Sequence, residues 1–454
     1  MTDTNKSDLT QGKILNKILL MAVPLMATQF FQMMYNLIDM FLLGRIDSYS
    51  VAASGTASLY IWLTVAFFTI GRAGAEIGVS QSLGKKDVET ARKYSYNACF
   101  IALLLGIFYG AILILFSSQL IGFFRLEEAH VVADAIIYLS ILALCLPFNF
   151  VSFALIGAFN GAGNSKLPSI IKATGLGINI ILSPLFIFTF GLGIRGAAIA
   201  TVIAQVCAFL IYVFAIKYHK NRPFEEYHLR NILKPDKKIL IQIIKWSVPL
   251  SLESACFTLL TMIISREIAL FGSGAMATLR VGSQIEALSW LIGVGFATAI
   301  TAFVGQNYGA KKYDRIRKGV RVSLIIMTIY GLIISLFMFF GARQLFGIFI
   351  TDPDIIPLGV SYLRIFAMVQ LIGCIEAVIS GAFRGLGKTK PPSVIAIIFN
   401  VSRVFFALGL VRTPLGLDGI WIGMAIGNFF RGLLLLIWYH FSSKAMFKIQ
   451  SQEA

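Results

Sequence analysis

Apolar runs of about twenty residues or more recur along the whole chain, each long enough to cross ~30 Å of hydrocarbon as a helix rising 1.5 Å per residue. Twelve are counted, near residues 16–43, 51–79, 95–117, 132–158, 168–190, 194–216, 240–265, 275–304, 320–341, 357–383, 392–412 and 417–440. The chain therefore reads as an all-α integral membrane protein with twelve transmembrane helices. Only 13% of its 454 residues are charged and its mean hydropathy is +0.80, against about 25% charged in soluble domains. The opening MTDTNKSDLTQGK reads as a short polar tail, so the first run is expected to stay in the mature protein.

The net charge of +17 sits in the connections. One set of loops carries the basic residues: 85–93, Lys166, 217–238, 311–321, 384–390 and the tail with Lys444 and Lys448. The other set is short and nearly bare, with Arg45, Arg125, Arg195, Arg343 and Arg412 scattered among it. Lys and Arg accumulate on the cytoplasmic side, so both termini are expected there, and nucleic acid is not the expected partner of this charge.

A shift of 225 residues lays SQSLGKKDVETARK (80–93) on GQNYGAKKYDRIRK (305–318) and Pro24 on Pro249. A shift of 224 lays GAFNGAGNSKLPS (157–169) on GAFRGLGKTKPPS (381–393). Agreement at a nearly constant offset in separate places marks an internal repeat. The expected organisation is a cytoplasmic tail (1–15), a first six-helix lobe (16–216), a cytoplasmic linker (217–239), a second lobe (240–440) and a second tail (441–454). Parallel repeats of this kind place a substrate path between bundles that rock against each other, although duplication also builds channels and static scaffolds.

Inside the first run, Thr28, Gln32, Tyr35 and Asp39 are spaced to share one helix face, with Asn36 beside them. A carboxylate in hydrocarbon costs at least ~2.5 kcal/mol, so Asp39 touches water, has a partner or carries a proton. Solvation at the headgroups accounts for Asp39 equally well. Pro24 removes a backbone hydrogen bond from the same helix and is a candidate bend, with Pro249 its counterpart. Arg72 and Glu76 are spaced i, i+4 and read as a local ion pair. Glu253, Glu286 and Glu376 lie in spans of the second half, with Arg280 and Arg403 as distant candidate partners. Whether these three line a cavity or form a buried network is open.

There is no GxxxxGK[ST] phosphate loop, and the glycine-rich stretches do not follow strands of a βαβ unit. The four histidines lie at loops or ends, unsuited to a metal site, and the five cysteines fall inside apolar runs without metal spacing. No nucleophile and base pair stands out, so no catalytic residue, metal or cofactor is assigned and the chain is not expected to be an enzyme.

Twelve runs in two similar halves, YNLID in the first, GQNYGA after the eighth, and GAxxGxGxxxxP after both the fourth and the tenth resemble the multidrug and toxic compound extrusion (MATE) family, nearest its DNA-damage-inducible-like bacterial branch. The resemblance covers about residues 14–440 and implies two helical lobes exporting organic cations against an inward flow of H⁺ or Na⁺. It implies a bacterial cytoplasmic (inner) membrane location, small amphipathic cations and membrane lipids as partners, and a monomer. It assigns Asp39 as the ion-coupling carboxylate, Pro24 as the bending proline, and Asn179 and Thr201 as cavity residues. The family pattern N-x-x-x-D-P here reads Asn179 to Ser183-Pro184, so a serine replaces the second carboxylate and a sodium site is weakened relative to a proton switch. Thr28, Gln32, Tyr35, Asn36 and Glu253 are the expected substrate-cavity residues. The competing reading, from the wider superfamily, is a flippase for lipid-linked sugars or other amphipathic lipids, which would need a cationic cavity.

Overall fold

The apolar runs are helical in the computed structural model, the run at 132–158 as two helices; the structure describes residues 8–44, 48–124, 128–219, 222–350 and 352–450. In chain order the first half contains α1 (Ile14–Gly44), α2 (Ser48–Gly84), α3 (Val88–Leu115), the short α4 (Ser117–Gly122), α5 (Ala129–Ala143), α6 (Leu146–Gly161), α7 (Lys166–Pro184) and α8 (Gly193–Tyr218). The second half contains α9 (Lys237–Ala269), α10 (Ser273–Gly309), α11 (Tyr313–Phe340), the short α12 (Ala342–Gly347), α13 (Ile356–Gly385), α14 (Lys390–Leu410) and α15 (Gly416–Gln450). Eleven helices among the described residues are long and apolar enough to cross a membrane, or twelve when the pair α5 and α6, bent by 47°, is one span. The bend falls at Pro147, in the first turn of α6, where the missing amide interrupts the ladder. Pro24 and Pro249 lie inside the long helices α1 and α9.

The repeat is built into the turns. After α2, Lys86 adopts φ 63°, and after α10 its counterpart Lys311 adopts φ 56°. The paired bonds Asp87 N to Ser82 O and Lys86 N to Leu83 O recur as Lys312 N to Asn307 O and Lys311 N to Tyr308 O. These are left-handed caps of the Schellman type. Gly163 (φ 80°) and Gly387 (φ 72°) close α6 and α13 in the same way. Helix crossings repeat as well. A Cβ on Gly161 would lie 2.6 Å from Glu76 O and one on Gly385 2.6 Å from Thr301 O, so glycine lets α6 approach α2, and α13 approach α10, backbone to backbone.

Two compact units result. The first, residues 1–9 and 23–251, packs α2, α3 and α6 around Phe150, Phe159 and Leu139, with α7 paired to α8. The second, residues 10–22 and 252–454, packs α10, α11 and α13 together and α14 against α15, with Phe366, Trp421 and Phe346 in its core. The sequence places the division in the linker, whereas the units part inside α1 and α9. The reason is side-chain packing. Ile243, near the start of α9, fills the notch at Gly74 on α2, and Trp246 stacks on Tyr94 of α3 at 5.7 Å. At the other end, Lys312 Nζ and Arg315 Nη2 donate to the carbonyls of Thr10 and Gln11, both at 2.9 Å.

The linker itself is tied to the first unit. Phe224 and Tyr227 are buried, and the Tyr227 hydroxyl lies 3.0 Å from Ser95 Oγ on α3. Burial pushes that phenol well above the ordinary tyrosine range. His228 N donates to Tyr96 Oη at 2.9 Å, Asp236 N to Asn97 Oδ1 at 2.8 Å, and Arg92 Nη1 to Glu226 O at 2.7 Å.

Candidate functional site

In the first unit the structure brings Asn179 and Thr201 together. Asn179, on α7, is fully buried and donates from Nδ2 to Thr201 Oγ1 on α8 at 3.4 Å. Ser183 lies one turn further along α7, on the same face and equally buried. Asn179 Oδ1 and Ser183 Oγ are buried without a hydrogen-bond partner among the described residues. Such orphaned oxygens are rare and cost about 1–3 kcal/mol each, so two in one turn form an acceptor cluster suited to an incoming donor or cation. Among the described residues no group of His, Cys, Asp or Glu side chains could hold a metal ion.

Helix α1 runs through the polar stripe, although the side chains of Tyr35, Asn36 and Asp39 lie outside the described residues. Thr28 turns its hydroxyl back to Pro24 O at 3.0 Å, and Ser169 of α7 donates to the same carbonyl at 2.8 Å. That carbonyl therefore anchors α7 to α1 at the proline. Gln32 is half-buried.

The expected Arg72–Glu76 ion pair does not form among the described residues. Glu76 is buried at the Gly161 crossing, while the Arg72 guanidinium is half-buried and lies within electrostatic range of the Tyr212 hydroxyl on α8. Helical spacing permits the pair without compelling it, and both residues lie where α6 crosses α2, at Gly157 and Gly161.

The second unit holds a different kind of cluster. Glu376 on α13 accepts from Arg431 on α15, with Nε at 3.0 Å and Nη2 at 2.9 Å from one carboxylate oxygen. Arg431 Nη1 also reaches Asn400 Oδ1 at 3.5 Å. Glu286 does not pair with Arg280, which is exposed; it accepts from Trp290 Nε1 at 3.2 Å and Tyr362 Oη at 3.1 Å. Arg403 is not the partner of Glu376 either. Its Nη2 donates to Thr261 Oγ1 at 2.6 Å and its guanidinium lies 4.6 Å from the Phe257 ring centroid. Glu253 accepts from Ser393 Oγ at 2.9 Å. By the repeat offsets, Ser393 matches Ser169, Glu253 matches Thr28 and Arg403 matches Asn179, so the serine is kept while the other two positions are neutral in one unit and charged in the other.

Arg431 and Lys172, both inside apolar runs, were not among the residues the sequence reading singled out. The signal was available, since a lone basic residue in such a run is the same anomaly that marks Asp39.

Two helical units of repeated construction, rich in membrane-length helices and with buried polar clusters inside each, define a polytopic membrane protein. The sequence model of the MatE family matches residues 24–185 and 249–408, and the chain belongs to that family. It is 27% identical over 435 residues to the probable multidrug resistance protein NorM of Thermotoga maritima, covering 94% of this chain and 92% of that one. It is 22% identical to the multidrug export protein MepA of Staphylococcus aureus, covering 88% and 87%. The solved outward-facing conformation of a MATE family multidrug resistance transporter superposes with a TM-score of 0.88 at 23% identity, over 99% of this chain and 100% of that one. A MATE crystal structure in the bent conformation gives a TM-score of 0.90 at 24% identity, with coverage of 99% and 100%. The fold is that of MATE transporters.

Proposed function

We propose that this protein is a multidrug efflux transporter of a bacterial cytoplasmic membrane, exporting small amphipathic organic cations in exchange for protons by alternating access. One observation carries the coupling half of this reading: the buried Asn179–Thr201 pair with the unpartnered oxygens Asn179 Oδ1 and Ser183 Oγ beside it. A protonated carboxyl is a donor that such acceptors satisfy, and a bare carboxylate is not. Asp39 supplies that carboxyl in this reading, so proton arrival would join α1 to α7 and α8. Pro24 and Pro249 are the places where α1 and α9 yield. Sodium fits less well, because it wants several oxygen ligands and Ser183 brings no charge where the family pattern has an aspartate.

Coupling requires an ion that binds one conformation better than another, since a ligand shifts an equilibrium only by its differential affinity. Proteoliposomes with imposed gradients and a fluorescent cationic dye test the reading. An outwardly acid ΔpH is expected to drive dye export, a Na⁺ gradient at fixed pH to drive it poorly, and Asp39→Asn to bind dye yet lose the gradient response. Export by Asp39→Asn at the wild-type rate would remove Asp39 from the mechanism, and robust Na⁺-driven export without a ΔpH response would reverse the choice of ion.

A further inference from the structure

The linker leaves α8 and enters α9, two helices of membrane length, so both its ends stand at one face of the membrane. Its middle is held there as well. Tyr227, His228 and Asp236 hydrogen-bond to Ser95, Tyr96 and Asn97 of α3, Phe224 and Tyr227 are buried in the core of the first unit, and Ile232 packs against that core. Those three α3 residues mark the level of docking. The apolar run of α3 opens at residue 95, and the stretch Ser95–Leu115 rises about 30 Å, the thickness of the hydrocarbon. The linker is therefore fixed at the boundary between hydrocarbon and headgroups.

At that level a 3₁₀ turn, Leu229–Leu233, leaves Leu229 and Leu233 exposed, the latter at 68%. Among the described residues of the basic connections, the other exposed large apolar side chains are Val88 and Tyr218, and Tyr218 also belongs to the linker. The same stretch carries four exposed cations, Arg230, Lys234, Lys237 and Lys238, whose side chains enter no hydrogen bond or ion pair among the described residues. The one acid among them, Asp236, is engaged by α9: its Oδ1 accepts from Lys238 N at 2.8 Å and from Ile239 N at 3.4 Å. Before the turn, Glu226 faces Arg92 at 3.9 Å, leaving Glu225 as the one linker acid without such a contact among the described residues. Topology asks only for the cations and gives no reason to set leucines in water between them.

We propose that residues 229–238 are an interfacial anchor that binds anionic phospholipids of the adjoining leaflet. Leu229 and Leu233 enter the boundary between headgroups and acyl chains, while Arg230, Lys234, Lys237 and Lys238 reach the lipid phosphates, the division of labour of a membrane-surface segment. A guanidinium fork and an ammonium both donate to a phosphate oxygen. A free phosphate offers the same charge but no chain to cover the leucines, so the partner is a lipid. Because the segment is tied to α3 through Tyr227, His228 and Asp236, its lipid contacts fix the height of the first unit in the bilayer.

Bimane attached at Leu233→Cys, in the full chain freed of its five native cysteines, keeps an apolar group at the position and reports what covers it. The protein is placed in phosphatidylcholine nanodiscs carrying either dibrominated phosphatidylglycerol or dibrominated phosphatidylcholine at equal mole fraction. A Lys or Arg at an anionic surface is worth about fivefold in binding, so the phosphatidylglycerol is expected to quench the label at least about threefold more than the phosphatidylcholine. Replacing Arg230, Lys234, Lys237 and Lys238 together by Gln should bring the two lipids to parity and leave SDS unfolding unchanged. Equal quenching by both lipids before that replacement, or selectivity that survives it, overturns the assignment of these cations to anionic lipid. Emission characteristic of water places Leu233 in solvent and overturns the anchor. Blue-shifted emission that neither lipid quenches means that protein, such as a second copy of the chain, covers the leucine, and also overturns it. Lipid contact rather than export is measured, so a negative result here leaves proton-coupled export standing.

Discussion

Glu376→Gln removes one charge from the buried pair of the second unit while keeping its shape. Both partners are under a tenth exposed, and the two donors of Arg431 converge on one carboxylate oxygen at 2.9 and 3.0 Å. At a charge separation of ~4 Å and an effective dielectric constant of ~20 the attraction is ~4 kcal/mol. Stranding one member of a buried pair costs about 3–5 kcal/mol, and the glutamine carbonyl, still an acceptor, recovers about 1. The single variant should therefore lose about 2–4 kcal/mol in reversible SDS unfolding from mixed micelles. Replacing both partners by apolar residues, Glu376→Leu with Arg431→Met, removes both desolvation costs and should fall within ~1 kcal/mol of wild type. Non-additivity of the two changes is the signature. If the double variant is as unstable as the sum of the singles, the ion pair is not what holds α13 to α15, and the energetic assignment fails.

Lysine in a left-handed cap is strained where glycine is not, so Lys311→Gly should stabilise and Gly387→Ala destabilise by about 1 kcal/mol each, read in the same unfolding assay. Ser183→Asp, restoring the family pattern, should increase Na⁺ dependence of dye export in proteoliposomes; unchanged ion preference would show that this position does not select the ion. Single cysteines at Ser48 and Lys234, in a cysteine-free background, should react with an impermeant maleimide from opposite sides of the membrane, and labelling of Lys234→Cys from outside intact cells would invert the proposed topology.

What a single sequence reveals here divides by range. The spans and the repeat were legible because hydrophobic length and turn chemistry are local: the motif around Lys86 and Lys311 folds into the same cap twice. Charge pairing was not. The i, i+4 spacing of Arg72 and Glu76 suggested a bond that does not form among the described residues, while the bond that forms joins Glu376 to a residue 55 positions away, on another helix that no periodicity points to. Arg280 and Arg403 were offered as partners on charge alone; Arg280 is exposed, and Arg403, though within electrostatic range of Glu286, gives its hydrogen bond to a threonine and lies over a ring. Asn179 and Thr201 came from family resemblance, and their contact is a tertiary fact between α7 and α8. The unpartnered state of Asn179 Oδ1 and Ser183 Oγ has no signature in the sequence at all.

The way the linker and the first turns of α9 join the first unit bears on how the two repeats could exist as separate polypeptides. A gene cut at the obvious seam, just after α8, would give a first half lacking Tyr227, His228 and Asp236, so that Ser95, Tyr96 and Asn97 of α3 would lose their hydrogen-bond partners. Even a cut just before α9 would uncover Gly74 and Tyr94, because Ile243 and Trp246 would leave with the other fragment. A fragment ending near Ser251, where the first unit ends, keeps both contacts. Six spans are thus the unit of inheritance in this chain, whereas the unit of folding borrows the opening of the seventh.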